Sequence, residues 1–343
     1  MTDTYKIAII GAATIRGKEL NEALAESPFA SASFSLLDDE SQLGQLEAVG
    51  DEVTFIQRIE PSAFEGMDFV FFAGSPEVTH KHWQAAQRAG ASIIDCSDAL
   101  EDVPGVIVDA PWLGETENLT LTTPAIIPAH PVAVALALML TRLEEVGAIR
   151  SASATVLDPA SEYGTAALDE LHHQTVGLLN FQTLPRAVYD TQVAFNVTPV
   201  AGAEAKVDLR ASEARIRRHY GILAANRIPT VSIQLLHAPV FHGHGISLAV
   251  EFDKPVAPEH VEAALSGEHV DVVMGDADSD VPNNLNTVGQ SDVMVRVRTA
   301  DGEPRETTRY WIWAAIDNLK FGALHAVAAA LELRKLRPQG KVQ

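Results

Sequence analysis

Short, mostly apolar segments alternate with amphipathic ones along the first 95 residues of the chain. Continuous apolar segments are typical of parallel strands buried on both faces, and here they fall at 6–10, 34–37, 69–73 and 92–95. Helices are predicted between them at 17–26, a stretch rich in Leu, Ala and Glu, and at 78–89. This alternation predicts an α/β fold with a Rossmann-like, doubly wound parallel sheet.

A different pattern begins after residue 150. Apolar and polar positions alternate with period two at 151–156, 230–234, 247–252 and 293–298, which predicts an α+β domain with a largely antiparallel sheet and one wet face. Three prolines at 124–131 interrupt the earlier pattern and precede a long apolar helix at 132–143. A last strand at 310–316 leads into a terminal helix. We therefore predict a Rossmann-like domain over 1–130, completed by the helix at 318–338, and a second domain over 131–317.

The turn between the first strand and the first helix is the candidate nucleotide site, because bare amides at a helix N-terminus favour an anion. The usual three-glycine spacing is not met, since position 13 is Ala, so an ordinary strand-to-helix turn explains the segment equally well. Asp38, which ends the second strand, would repel a 2′-phosphate and favours NAD over NADP. The candidate cofactor residues are Gly11, Ala12, Ala13, Thr14, Ile15, Gly17, Asp38 and Gly74.

Length and charge narrow the class of protein. A chain of 343 residues suits two domains. A net charge of −21 argues against nucleic acid or membrane partners, because an acidic surface repels phosphates and anionic lipid. No apolar run reaches the roughly 18 residues that span a bilayer, and the first residues show no signal-peptide pattern, so we expect a cytoplasmic protein. The single cysteine, Cys96, excludes an internal disulfide and a thiolate metal cluster.

Five segments resemble, in order, signatures of the aspartate-semialdehyde dehydrogenase family, and most closely those of its Usg-type paralogues. They lie at 8–12 (Ala-Ile-Ile-Gly-Ala), 94–99 (Ile-Asp-Cys-Ser-Asp-Ala), 194–199 (Ala-Phe-Asn-Val-Thr-Pro), 239–244 (Pro-Val-Phe-His-Gly-His) and 317–323 (Asp-Asn-Leu-Lys-Phe-Gly-Ala). The resemblance implies an NAD(P)-binding domain, a catalytic and dimerisation domain, a homodimer and a place in amino-acid biosynthesis.

The same resemblance implies that the reaction centre has changed. The family's nucleophilic cysteine falls at His130, its glutamine at Asp158 and its substrate arginine at His237, while the proton-shuttling histidine is retained as His244. Its phosphate-binding arginine segment reads Asp-Ala-Leu-Glu at 98–101. An imidazole cannot form the family's thioester, and Cys96 lies in the wrong segment to replace the nucleophile; we interpret it as a small buried or half-buried residue.

Three functions stay open at this stage. The first is an oxidoreductase-like pseudoenzyme that binds, regulates or acts as a scaffold, with a nucleotide or other small-molecule ligand. The second is an active NAD- or NADP-dependent oxidoreductase on an aldehyde or alcohol, with His244 as acid and base. The third is a metal-binding enzyme or sensor, because histidines and a carboxylate are metal ligands and the family fold would bring together His130, His237, His242, His244 and Asp158. No spacing signature supports a metal, so the sequence favours none, and cofactor binding could itself have been lost.

Overall fold

The computed structural model describes residues 4–39, 44, 46–49, 52–116, 118–225, 229–274 and 281–337. The chain forms two compact units, one from residues 1–129 with 322–343 and the other from 130–321. Its helices are α1 (Ile15–Ala25), α2 (Pro76–Arg88), α3 (Pro131–Val146), α4 (Thr165–Leu179), α5 (Leu209–Ala224), α6 (Pro258–Leu265) and α7 (Asn318–Leu336). Among the residues that the structure describes, no helix is both long enough and apolar enough to cross a bilayer.

The first unit is built on a seven-stranded sheet. Its strands are β1 (Lys6–Ile10), β2 (Ser33–Asp38), β5 (Gln57–Arg58), β6 (Phe69–Phe72), β7 (Ser92–Asp95), β8 (Ile107–Asp109) and β9 (Ile126–Pro128), while β3 (Leu46–Val49) and β4 (Glu52–Phe55) form a separate antiparallel pair. All strands of the sheet are parallel, in the order β5-β2-β1-β6-β7-β9-β8. The chain winds outward in both directions from β1 and β6, which confirms the doubly wound fold and makes the gap beyond these two strands the switch point of the sheet.

Side chains of the central strands alternate between two buried clusters. Ile7 and Ile9 face one side, where they pack with Leu20 and Leu24 of α1 and with the C-terminal part of α7. Ala8 and Ile10 face the other side, which includes Ala86 of α2. Because the strands are covered on both faces, they carry no polar alternation, and this is why the sequence showed them as continuous apolar runs.

The second unit has a six-stranded mixed sheet, ordered β11-β10-β12-β15-β14-β13. The strands are β10 (Ile149–Asp158), β11 (Val231–His237), β12 (His244–Val256), β13 (Val270–Val272), β14 (Val293–Thr299) and β15 (Thr307–Ile316). The three central pairings are antiparallel, and β10–β11 and β13–β14 are parallel. The predicted period-two strands are therefore present and mostly antiparallel. Helix α3 is buried along most of its length, which its uniformly apolar sequence requires.

Two elements of the sequence interpretation need correction. The three prolines at 124–131 do not interrupt the sheet, because β9 lies among them and pairs with both β7 and β8. Only three residues form this strand, and the prolines in and around it leave no apolar pattern long enough to predict a strand from the sequence. Helices α4 and α5 occupy much of the stretch between β10 and β11, a region the period-two pattern did not predict to be helical.

A pair of buried polar side chains on α4 fixes the loop that follows it. Gln174 donates from Nε2 to the carbonyls of Pro185 and Thr191 and accepts at Oε1 from the amide of Val193. Glu170 accepts from the amides of Val188 and Tyr189. Buried side chains that face the core are usually apolar, so a helix that turns Glu and Gln inward does not follow the ordinary amphipathic pattern.

Candidate functional site

Three glycines shape the turn that follows β1. Gly11 has a φ of +79°, and a Cβ there would lie 2.4 Å from the Cα of Gly74, the second residue after β6. A Cβ on Gly17 would lie 2.1 Å from the carbonyl oxygen of Gly11. The backbone packs so closely at these positions that only glycine fits. Thr14 then caps α1 by accepting from the amide of Gly17 at 2.9 Å, which explains why the helix begins at Ile15, earlier than the sequence pattern predicted.

Asp38 holds the same turn from the end of β2. Its Oδ2 atom accepts from the amide of Ala13 at 2.9 Å, and its Oδ1 atom accepts from the amide of Asp39. The amide of Gly11 donates to the carbonyl of Leu37. A carboxylate has about four acceptor positions, so Asp38 retains lone pairs for a ribose hydroxyl while it orders the loop. Thr14 takes the amide of Gly17, and the earlier amides of the first turn of α1, which a helix leaves without intrahelical partners, complete a geometry that fits a dinucleotide.

A second group of side chains gathers at one end of the sheet in the second unit. Asp158 is the last residue of β10 and pairs in register with His237, the last residue of β11. His244 is the first residue of β12, whose antiparallel pairing with β10 sets Gly245 opposite Leu157. Strand β15 ends beside His244 and leads into Asp317 and Asn318. The strand register therefore brings residues from four strands to the same end of the sheet.

His244 and Asp158 form a fully buried pair. The Nε2 atom of His244 lies 3.0 Å from Oδ1 of Asp158. Burial alone would raise the pKa of the Asp158 carboxyl, but the rings of His237 and His244 outweigh it and hold the pKa below its usual value. Burial alone would likewise lower the pKa of His244, but the hydrogen bond to Asp158 and the negative charges around the ring raise it. The pair thus favours an ionised carboxylate with Nε2 of His244 as its donor.

His130 is the N-cap residue of α3. Its Nδ1 atom accepts from the amide of Val132 at 3.2 Å, so the neutral ring carries its proton on Nε2. That Nε2 atom lies 3.5 Å from Oε1 of Glu162. The backbone amide of His130 donates to Nδ1 of His219, a buried histidine on α5. The rings of His130 and His244 stand 5.7 Å apart, centroid to centroid.

Asn318 connects the two halves of this histidine cluster. Its Nδ2 atom donates to Oε2 of Glu162 at 3.2 Å, and its Oδ1 atom accepts from Oγ of Ser161 and from the amide of Gly243. Gly243 precedes His244, and Glu162 faces His130, so one amide side chain orients both branches. Asp317 caps α7 through the amides of Leu319 and Lys320.

The predicted histidines are not equivalent in the structure. His130, His244 and Asp158 lie together, and His237 stands with its Nδ1 atom 3.9 Å from Oδ2 of Asp158, beyond hydrogen-bond length. His237 instead stacks against Tyr189, with centroids 4.7 Å apart. His242 is half-buried, and within the described ranges it makes no hydrogen bond or ion pair with the others. Glu162 and His219 were missed, because no motif marks them; Asn318 was seen only as part of a family signature.

Cys96 belongs to the first unit, in the loop after β7. The side chain is half-buried against the α1 and α7 cluster. Burial raises the pKa of the thiol well above its ordinary value, although the nearby guanidinium of Arg16 acts in the opposite direction. A thiol held protonated in this way is a poor nucleophile.

The chain matches two family descriptions along nearly its whole length: "Semialdehyde dehydrogenase, NAD binding domain" over residues 6–128 and "Semialdehyde dehydrogenase, dimerisation domain" over 140–321. It therefore belongs to the semialdehyde dehydrogenase family. An aspartate-semialdehyde dehydrogenase of Rickettsia bellii is 30% identical over 342 residues, which cover 98% of this chain and 99% of the relative.

Two further relatives agree with this assignment. A USG-1 protein homolog of Pseudomonas aeruginosa is 29% identical, over 95% of this chain and 97% of the relative. The solved structure of a probable aspartate-semialdehyde dehydrogenase from Pseudomonas aeruginosa superposes with a TM-score of 0.80 at 26% identity, over 97% of this chain and 98% of that one. The resemblance to this family, including its Usg-type members, is thus confirmed.

Proposed function

We propose that this protein has the architecture of an aspartate-semialdehyde dehydrogenase but does not form the thioester intermediate, and that it binds a small-molecule or nucleotide ligand in a regulatory or scaffolding role. The observation that carries the proposal is the residue at the N-terminus of α3. The resemblance assigns the nucleophile to this position. Here the Nδ1 atom of His130 accepts the hydrogen bond that caps the helix, and its Nε2 atom faces Glu162. A side chain in this arrangement caps the helix and faces a carboxylate; it has no thiolate to attack a carbonyl.

Two observations on other residues support the loss. The chain contains no other thiol than Cys96, and burial raises its pKa. The position of the family's substrate arginine holds His237, whose ring is fully buried against Tyr189. A buried imidazole stacked on an aromatic ring cannot supply the bidentate grip of a guanidinium on a carboxylate.

Intact-protein mass spectrometry tests the proposal directly. After incubation with aspartate semialdehyde, phosphate and either NAD or NADP, we expect the mass of the chain to stay unchanged and no phosphate-dependent reduction of the nucleotide. The matched control is Cys96→Ser, which should behave as the wild type. An acyl adduct on the wild type, or turnover that Cys96→Ser abolishes, would contradict the proposal.

A second candidate function is favoured by the buried pair of His244 and Asp158. An aspartate that orients a histidine and raises its pKa is the arrangement of a general acid–base pair. The Nδ1 atom of His244 is buried and, within the described ranges, has no hydrogen-bond partner. That atom is free to exchange a proton with the oxygen of an aldehyde or alcohol while a nicotinamide exchanges hydride.

A kinetic comparison separates the two candidates. An active oxidoreductase should oxidise NADH or NADPH with a panel of small aldehydes, and His244→Gln should lower kcat by about 10²–10⁴ with little change in KM. Cys96→Ser should leave the rate unchanged. If nucleotide binds but no aldehyde in the panel is reduced, and His244→Gln changes nothing, the binding role is retained.

Cofactor and partner follow from the two units. We propose NAD as the nucleotide; the carboxylate of Asp38, at the end of β2 and bonded to the turn after β1, supports this because it would repel a 2′-phosphate. We also propose a cytoplasmic homodimer formed by the second unit, which exposes several large apolar side chains: Leu179, Phe181, Phe195, Val197 and Trp311. Multi-angle light scattering at micromolar concentration should give twice the chain mass, and a monomer would contradict the dimer.

A further inference from the structure

His130, Glu162 and His244 form a compact set of donors within the second unit. One ligand-type atom from each lies within 4.8 Å of the others. We propose that this cluster binds a divalent transition-metal ion of the Zn²⁺ or Fe²⁺ class, a site that goes beyond the proposed function. Two histidines with one carboxylate form the ligand set of many catalytic zinc sites and of non-haem iron sites, and such a set leaves coordination positions open. The sequence alone favoured no metal because the candidate histidines and Asp158 come from separate segments, and it did not single out Glu162.

His244 is prepared for this role by its neighbour. Its Nε2 atom is bonded to Asp158, which leaves Nδ1 as the ring nitrogen with a lone pair to give. That atom is fully buried and unpartnered within the part of the chain that the structure describes. Metal-binding histidines almost always donate their other N–H to a carboxylate or carbonyl, which fixes the ring and its tautomer. Asp158 is this outer partner for His244.

Glu162 is oriented in a comparable way. Asn318 donates to its Oε2 atom, and Oε1 is directed to His130 at 3.5 Å. Zinc–ligand bonds of about 2.1 Å in a tetrahedron place ligand atoms about 3.4 Å apart. The Nε2 atom of His130 and the Oε1 atom of Glu162 are already close to this spacing, and a ring nitrogen of His244 lies within 4.8 Å of a ligand atom of each. The side chain of Glu162 is 17% exposed, which gives an ion a route from solvent.

Charge also favours a cation here. The cluster contains the carboxylates of Asp158 and Glu162, and Asp158 is almost completely buried. Buried carboxylates are stable only when paired or when they coordinate metals. A divalent ion would balance both negative charges at once.

One bond must change when the ion binds. The Nδ1 atom of His130 accepts the amide of Val132, so the ring proton lies on Nε2, the atom that faces Glu162. Coordination through Nε2 moves this proton to Nδ1, and the ring must turn away from the amide. The ion would also occupy the nitrogen of His244 that the acid–base candidate uses, so metal binding and proton transfer by His244 are separate roles for one atom.

Titration of the untagged, EDTA-treated full chain with Zn²⁺ and with Co²⁺ tests the proposal. We expect calorimetry to show one ion per chain with a low-micromolar or tighter Kd. Bound Co²⁺ should show the intense visible absorption of a four- or five-coordinate ion, which is a readout independent of any variant. The melting temperature should rise on addition of Zn²⁺.

Ligand variants should separate the cluster from surface sites. Glu162→Gln and His130→Asn should each weaken binding by at least tenfold, and Asn retains an N-cap for α3. The matched control, His242→Asn, removes a nearby half-buried histidine and should bind as the wild type. Circular dichroism of each variant shows whether it folds. If one variant fails to fold, the other variant and the Co²⁺ spectrum of the wild type still test the metal site.

Three outcomes would overturn the site. One is the absence of saturable binding by the wild type. Another is wild-type affinity in both Glu162→Gln and His130→Asn. The third is binding that disappears instead when the exposed neighbours His172 and His173 on α4 are replaced by Asn, which would show an adventitious surface site.

Discussion

The two candidate sites are built from different materials. In the first unit, backbone makes the candidate site: glycines at 11, 17 and 74 bring main chain close to main chain. In the second unit, side chains make the site, and each is held by another side chain, as Asp158 holds His244 and Asn318 holds Glu162. A backbone site tolerates changes of side chain but not of shape, whereas a side-chain site can change its chemistry one residue at a time. The proposed assignment of family positions fits this contrast, since it puts His130, His237 and Asp158 in the second unit where the family has cysteine, arginine and glutamine.

The largest effect should come from disturbing the backbone site. Gly11→Val places a Cβ 2.4 Å from the Cα of Gly74 in a left-handed conformation, and we expect a loss of about 4 kcal/mol or more in unfolding free energy. Gly90→Ala is the matched control, because its φ is also positive but its Cβ would meet open space. It should lose only about 1 kcal/mol. Equal losses by urea denaturation would show that close packing at Gly11 does not matter.

The side-chain site should respond next. Asp158→Ala leaves the Nε2 atom of His244 buried without its acceptor, and we expect a loss of about 3 kcal/mol. Glu251→Ala is the control, because among the residues that the structure describes Glu251 pairs with the exposed Arg150 and Arg309, and its loss should change stability by less than about 1 kcal/mol. If both variants unfold at the same urea concentration, the buried pair contributes nothing specific.

Nucleotide preference provides a smaller test of the first unit. Asp38→Asn keeps an oxygen for the amide of Ala13 but removes the negative charge beside the proposed ribose. We expect the Kd for NADP to fall by up to about tenfold relative to that for NAD, which corresponds to about 1.4 kcal/mol. Calorimetry with both nucleotides measures the ratio. A wild type that binds neither would remove the nucleotide site from the proposal.

The smallest effect concerns the cap of α3. His130→Ala removes the acceptor for the amide of Val132 and should cost about 1 kcal/mol, whereas His130→Asn should retain most of it. Thermal unfolding of the two variants gives the difference. A more stable Ala variant would mean that His130 is strained for the sake of its site and does not serve the helix.

The sequence predicted the four adjacent strands β2, β1, β6 and β7 of the first unit because local pattern determines them, whereas the short strands β5, β8 and β9 were not predicted. Buried parallel strands are continuous apolar runs, and the turn at Gly11 comes directly after one. The histidine cluster was harder to predict, because the pairing of Asp158 with His237 depends on strand register and Asn318 reaches Glu162 from 156 residues away. The family resemblance pointed to the histidines, but no feature of the sequence pointed to Glu162. Helix α4 was not predicted because its inward-facing positions include the polar residues Glu170 and Gln174.

Those two residues of α4 have a consequence for association. By fastening the backbone between 185 and 194 from within, they set the conformation of the segment that leads to the exposed Phe195. Ordering of a loop is normally an entropy loss incurred when two surfaces meet. Here that loss is incurred when the chain folds, so in the proposed homodimer the backbone beside Phe195 would already be ordered before the two subunits meet.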